Sequence, residues 1–255
     1  MNMSLTKIKS LLVNYFASKD REVNVISETG EPSGVTSNNA IEDTPISYEI
    51  DVDKIDVAFK WTGGYCSDDL DLFALVLNED GQIAQVSDFV FYNSECRVKS
   101  VNERPLSYHA WRESGYRSPA QFRNVTYPSN SDGAVILDGD FAAYIESISG
   151  MNCEAAYIDL KKLDGEKVSS IELYVSNYHK EEAFKDVRSV SVDLYFGRTD
   201  SLLQSFSMNK FSKDDDRNMF FIGALTYSNE LKKWTFRQSF RLQQIALGQL
   251  FDRYL

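Results

Sequence analysis

Asp69 and Asp71 stand two residues apart at the mouth of an apolar run, "LFALVL", residues 72–77. Alternate residues of an extended strand share a side, so the two carboxylates face the same way. Charge beside a buried strand costs free energy unless something compensates it. A bound cation is one compensation, and a solvated strand entrance is the other. Asp88 precedes "FVFYN", and Asp138 and Asp140 flank Gly139, which lets the chain bend and both carboxylates converge. Ca²⁺ takes about six to eight oxygen ligands from carboxylates, amides, carbonyls and water. Residues at strand–loop junctions can supply them. Asp-x-Asp recurs at Asp51 and Asp53, and paired aspartates on a surface are usually solvated, so spacing alone leaves the choice open.

Other chemistries find little support. No Gly-Lys-Ser/Thr and no Gly-x-Gly-x-x-Gly cradles a phosphate. The two histidines, His109 and His179, lie 70 positions apart. Cys96 and His109 are near each other in sequence, but neither sits in a nucleophile turn. The three cysteines, Cys66, Cys96 and Cys153, contain no Cys-x-x-Cys pair, which argues against zinc and against a disulfide framework. The sequence therefore reads as non-enzymatic, with a reducing cytoplasm as its simplest home.

A second feature is electrostatic. Between Arg97 and Asn130, Arg97, Lys99, Arg104, Arg112, Arg117 and Arg123 face only Glu103 and Glu113, six minus two or +4, in a chain whose net charge is -11. Tyr108, Trp111, Tyr116, Phe122 and Tyr127 are interleaved. Arginine with aromatic residues suits stacking and phosphate contacts, which makes Trp111, Arg112, Arg117 and Arg123 candidates for docking an anionic partner such as nucleic acid, a nucleotide or a phosphoprotein. The alternative is a surface loop whose charges are solvated or paired to the acidic domain. The overall charge disfavours nucleic acid and anionic membrane.

The elements that would position these groups follow from periodicity. Leu5, Ile8, Leu11, Leu12, Tyr15 and Phe16 recur at helical spacing, so residues 1–19 read as an amphipathic helix that docks on the main domain or on a copy of itself. Residues 20–47 read as a flexible linker rich in Ser, Thr, Gly, Pro and Asn. From residue 48 to 255 the pattern is β. Ile55, Val57, Phe59 and Trp61 alternate with polar residues. Asn78–Gly81 is a turn, and "QIAQV", "FVFY", "GAVIL", "AAYIDL", "SSIELYVS", "SVSVDLYF", "LLQSFS", "MFFIGALTY" and "KWTFRQSF" read as strands. Leu242, Ile245, Ala246 and Leu250 suggest a closing helix. The expected class is all-β: an antiparallel β-sandwich with an N-terminal and a C-terminal helix, and a basic, aromatic insert at 95–130. No apolar run approaches the ~20 residues that cross a bilayer.

The run "DLDLFALVLNEDGQIAQVSDFVFYN", then "SDGAVILDGDF", "SGMNCEAAYIDLKKL", "EAFKDVRSVSVDLY" and "FIGALTYSNELKKWTFR" resembles the TerD family of tellurium-resistance and stress-response proteins. The likeness runs in order across about residues 48–240. It implies a β-sandwich that binds Ca²⁺ through acidic motifs and works as an interaction or sensor module, with other proteins of a Ter-type stress or defence system as partners. Matched to the family pattern, Asp69 and Asp71 stand for its Asp-Leu-Asp, and Asp88 and Asn93 for the edges of its F-Y-N run. Gly139 and Asp140 open its G-D-N, and Glu154 closes its D-D-E. Phe141, Asn152 and Cys153 depart from the pattern where the family carries Asn and two Asp. Each lost carboxylate weakens Ca²⁺ binding. A diverged member without calcium would lean instead on the insert at 95–130. Assembly through the N-terminal helix is a third reading.

Overall fold

The computed structural model describes residues 46–63, 70–99, 126–138, 152–165, 167–177, 184, 187–197, 199–208, 217–245 and 247–255. The expected N-terminal helix, the expected linker up to residue 45, most of the 95–130 insert, and both histidines lie outside them, and the last residue of that linker, Ser47, instead opens a strand paired with Arg237.

Two antiparallel sheets carry the described chain. One has six strands in the order β1 (Ser47–Ile50), β13 (Lys233–Gln243), β12 (Met219–Ser228), β9 (Ser170–Asn177), β3 (Leu70–Leu77) and β4 (Phe89–Val90). The other has five, in the order β11 (Leu202–Met208), β10 (Ser189–Phe196), β2 (Lys54–Thr62), β8 (Asn152–Asp159) and β7 (Val135–Leu137). A third pairing, β5 (Arg97–Lys99) with β6 (Thr126–Pro128), closes the two ends of the insert into a ladder. One helix, α1 (Leu247–Tyr254), ends the chain.

Alternation decides which side chains face inward. Ile55, Val57, Phe59 and Trp61 of β2 share one buried cluster with Leu70, Leu72, Ala74 and Val76 of β3 and with Phe220 and Ile222 of β12. The Phe59 and Phe220 rings, from opposite sheets, lie 5.9 Å apart. The two sheets thus share one core. Their far faces are covered as well. Phe73, Leu75 and Leu77, on the other side of β3, pack with Phe89, Tyr174, Leu250 and Phe251 under α1. Ala58, Ala155, Cys153 and Tyr157 on the outer side of the five-stranded sheet pack with Tyr127 of β6.

Three local expectations change. "QIAQV" is not a strand. After the Asn78–Gly81 turn, in which Asn78 Oδ1 accepts the amides of Asp80 and Gln82 and Gly81 takes a φ of 71°, the Ile83 N–H donates to the Tyr254 carbonyl at 2.8 Å. A group bonded to the terminal helix cannot join a ladder. "FVFY" yields only the two residues of β4. The Phe91 amide donates to Ser94 Oγ at 3.0 Å, and the Ser94 amide returns to the Phe91 carbonyl, which turns the chain. The last strand runs through Leu242 to Gln243, so the closing helix begins only at Leu247.

Gly223 marks a kink where β12 shifts register between Phe221 and Gly223 against both neighbours. Its φ is 154°, and a Cβ there would stand 2.3 Å from the Arg237 carbonyl oxygen. Only glycine lets β13 approach this closely.

Candidate functional site

The sheets meet along one rim, where β3 and β4 of the six-stranded sheet approach β7 and β8 of the other. Here Glu154, on the inward side of β8, reaches across. Its Oε2 accepts the main-chain N–H of Leu72 at 2.6 Å. Glu154 is buried. β4 pairs only with Ala74 and Leu75, so the outward N–H of Leu72 lies past the end of that ladder, and the carboxylate takes the place of a strand. A short bond from an N–H to a charged acceptor is among the stronger hydrogen bonds in a protein.

Asp71 is one peptide bond away. It opposes Ser176 in the β3–β9 ladder and is half-buried. Because it alternates with Phe73 and Leu75, its side chain starts on the helix-covered face, whereas Glu154 arrives from between the sheets. The two side chains therefore flank the entrance of β3 on opposite faces of the strand.

Asp138 follows β7 and is drawn into the five-stranded sheet. Its N–H donates to the Ala155 carbonyl at 3.0 Å, and its Oδ1 accepts the Ala155 N–H at 2.9 Å. Its carboxyl is 2% exposed, and Oδ2 has no hydrogen-bond partner. Burial pushes this carboxyl well above the usual range, and the neighbouring charge of Asp56 pushes the same way. Gly139 and Asp140, the next two residues, lie outside the described set, as does Asp69.

Asp88 has a local task. It closes a 3₁₀ turn, Val86–Asp88, where its carboxylate accepts the Gln85 amide and the Gln85 side-chain Nε2, each at 3.1 Å. Burial raises its affinity for a proton, while the bonds to Gln85 oppose that. Asn93 is exposed in the turn after β4. Among the described residues, no three His, Cys, Asp or Glu gather as a metal would require.

The docking candidates Trp111, Arg112, Arg117 and Arg123 fall outside the described residues. Arg97, at the mouth of the insert, is described, and it is committed. Its Nε donates to Thr126 Oγ1 at 3.1 Å, Nη1 to the Tyr92 carbonyl at 2.9 Å and Nη2 to the Thr126 carbonyl at 3.1 Å. One of the six cations of the insert thus clamps its own hairpin.

A polar seam on the outer face of the five-stranded sheet escaped the sequence reading. Lys60 Nζ lies 3.0 Å from Asp193 Oδ2 and donates to Tyr195 Oη at 3.1 Å. Tyr195 Oη donates to Asp193 Oδ2 at 3.1 Å, and Ser205 Oγ donates to Oδ1 at 2.5 Å. Asp56, Lys60 and Asp193 are all buried. In sequence, Asp56 and Lys60 are simply the polar half of an alternating strand. Nothing in that alternation shows that their face is covered. A closed ion pair of this kind sets side-chain positions and adds little net stability.

No family model and no curated protein matches the sequence. Two solved structures are similar over 78% of this chain and 95% of theirs. One is the unknown function protein SAV2460, at 16% identity and a TM-score of 0.47. The other is SCO6318 from Streptomyces coelicolor A3(2), described as a homologue of telluride resistance protein (TerD), at 14% identity and a TM-score of 0.46. Likenesses at that level carry no argument about this chain, and the functional reading rests on its own residues.

Proposed function

We propose that the protein is a non-enzymatic Ca²⁺-binding interaction module of the kind its resemblance to the TerD family implies, built as a β-sandwich and read by partner proteins of a stress or defence system. One observation carries the reading. Glu154, matched to one acidic motif, reaches across the sheets to the main-chain amide of Leu72, the residue next to Asp71 of another motif far away in sequence. The donors are carboxylate oxygens, which suit a hard cation such as Ca²⁺.

The described donors do not complete a shell. Asp69, one residue before Leu70, and Asp140, two residues after Asp138, are the carboxylates that would complete it. When bound, the ion would supply positive charge that screens the carboxylates at this rim. Asp88 is engaged by Gln85 and Asn93 stands in an exposed turn, so neither is needed for the account.

Thermal melting of the chelator-treated full chain tests the proposal. A ligand that binds only the folded state stabilises it by about 2.7 kcal/mol at a hundredfold excess over its dissociation constant. The melting temperature is expected to rise with Ca²⁺ and not with equal Mg²⁺, and Asp71→Asn or Asp140→Asn is expected to remove the rise. A melting temperature that ignores millimolar Ca²⁺ would sink it and return attention to the insert at 95–130.

A further inference from the structure

The outer face of the six-stranded sheet is only partly covered. α1 packs over β3 and β9. On the side of β12, β13 and β1, Arg237 stands opposite Ala224 and Arg241 opposite Phe221. Ala224 and Phe221 in turn oppose Glu172 and Tyr174 of β9, whose side chains meet Tyr254 of α1, so both arginines rise from that same face. Both are exposed. Arg241 Nε donates to Ser239 Oγ at 3.0 Å, and its guanidinium lies over the Phe221 ring. Among the described residues neither arginine has a carboxylate partner. The carboxylate of that row, Glu172, is taken by Tyr174 and Tyr254. Lys233, further along β13, is paired with Glu49 at 3.3 Å. Two uncompensated cations, one on an aromatic floor, thus share one face of a chain whose net charge is -11.

We propose that this strip seats the chain's own acidic segment, residues 20–45, through Glu42 and Asp43. Charge, position and reach select that occupant. Residues 20–45 carry Asp20, Glu22, Glu28, Glu31, Glu42 and Asp43 against Arg21 alone, six minus one or -5. Ser47 pairs with Arg237, and the Gln238 N–H donates to the Ile46 carbonyl at 3.0 Å. β1 and β13 are antiparallel and β13 runs on to Gln243, so the backward direction of β1 points along β13 toward Arg241. Asp43 is four residues before Ser47, a span of at most ~14 Å. An exposed ion pair is weak by itself. The short connection compensates, because it sets a local concentration on the order of millimolar. A free acidic peptide must reach that concentration to compete, and a second copy of net charge -11 is repelled. The seated segment therefore screens Arg237 and Arg241 from other acidic ligands.

The side-chain Nε–H resonances of Arg237 and Arg241, recorded on the full chain at low salt, are the test. Neutralising the acids, Glu42→Gln/Asp43→Asn, is expected to shift both signals, and a hexaglutamate peptide is then expected to bind the strip more tightly than it binds wild type. Neutralising the arginines, Arg237→Gln/Arg241→Gln, is expected to shift the amides of Glu42 and Asp43 in return. Both sets of shifts are expected to vanish in about 1 M salt, where the Debye length is about 3 Å. Arginine signals that coincide in wild type and in the acid-neutralised variant overturn the proposal. If hexaglutamate still moves them, the strip takes a foreign acidic peptide instead, and if it moves nothing, the strip has no acidic ligand. Shifts that persist in 1 M salt also overturn it, because they report a contact without charge pairing.

Discussion

At the entrance of β3 the N–H of Leu72 lies past the end of the two-residue β4 ladder, and Glu154 Oε2 accepts it across the gap between the sheets. Remove that acceptor and a buried donor is left unmade, which costs about 1–3 kcal/mol. Glu154→Ala is expected to lose stability of that order in urea unfolding, and Glu154→Gln, which keeps a carbonyl oxygen, less. A Glu154→Ala protein within roughly 0.5 kcal/mol of wild type would show that Leu72 finds another partner. Asp88 illustrates the opposite case. Its place beside "FVFYN" suggests a ligand, but its oxygens accept two bonds from Gln85 three residues earlier. A carboxylate that closes its own turn looks, in sequence, the same as one held ready for a cation. Residue type was therefore legible at this scale, and commitment was not.

The terminal helix shows how an element with little strength of its own is held. Two turns of α-helix are marginal in isolation. α1 is fixed by Leu250 and Phe251 against the far face of β3, with the Phe251 ring edge-on to Phe89 at 4.2 Å. Tyr254 completes the dock. Its Oη donates to Glu172 Oε2 at 2.6 Å, Tyr174 donates to the same oxygen at 2.7 Å, and the two hydroxyls lie 2.8 Å apart. Phe251→Ala is expected to cost about 3–5 kcal/mol in urea unfolding. Burial, then the Glu172 carboxylate, pushes the Tyr254 phenol up to about 12, and Tyr174 moves in the same direction. Both sit above the ordinary tyrosine value of about 10, so the unfolded chain gives up these protons first. The Tyr254 contribution is complete below pH about 10 and is lost as pH climbs toward about 12. Wild-type stability is expected to fall across that window and the Tyr254→Phe variant to fall less. Identical alkaline profiles would mean that the network does not hold the helix. Strands such as Leu70–Leu77 and the Asn78–Gly81 turn could be read from local pattern alone. The Ile83–Tyr254 bond, which turns an expected strand into irregular chain, could not, because its two ends are 171 positions apart.

For the molecule as a whole, the same distinction separates fold from function. Alternation along β2 marks two faces, and together with the short apolar runs after it leads to an all-β chain. It cannot show that both faces of a sheet are covered, which is why the buried seam of Asp56, Lys60, Asp193 and Tyr195 reads in sequence as ordinary surface. Nor can spacing show that Glu154 reaches the amide of Leu72, since 82 positions separate the bonded pair. That junction, where the rims of the two sheets are tied by one carboxylate, is where the account places calcium and where ordering by the ion would reach a partner. The Leu72 amide reports on it directly. Amide resonances of the chelator-treated protein, followed while Ca²⁺ is added with Mg²⁺ as control, test this most closely. The account predicts that Leu72 and its neighbours on β3 and β8 shift with Ca²⁺ alone, in step with one another. A Leu72 resonance that stays fixed through millimolar Ca²⁺, or that moves equally with Mg²⁺, would contradict it.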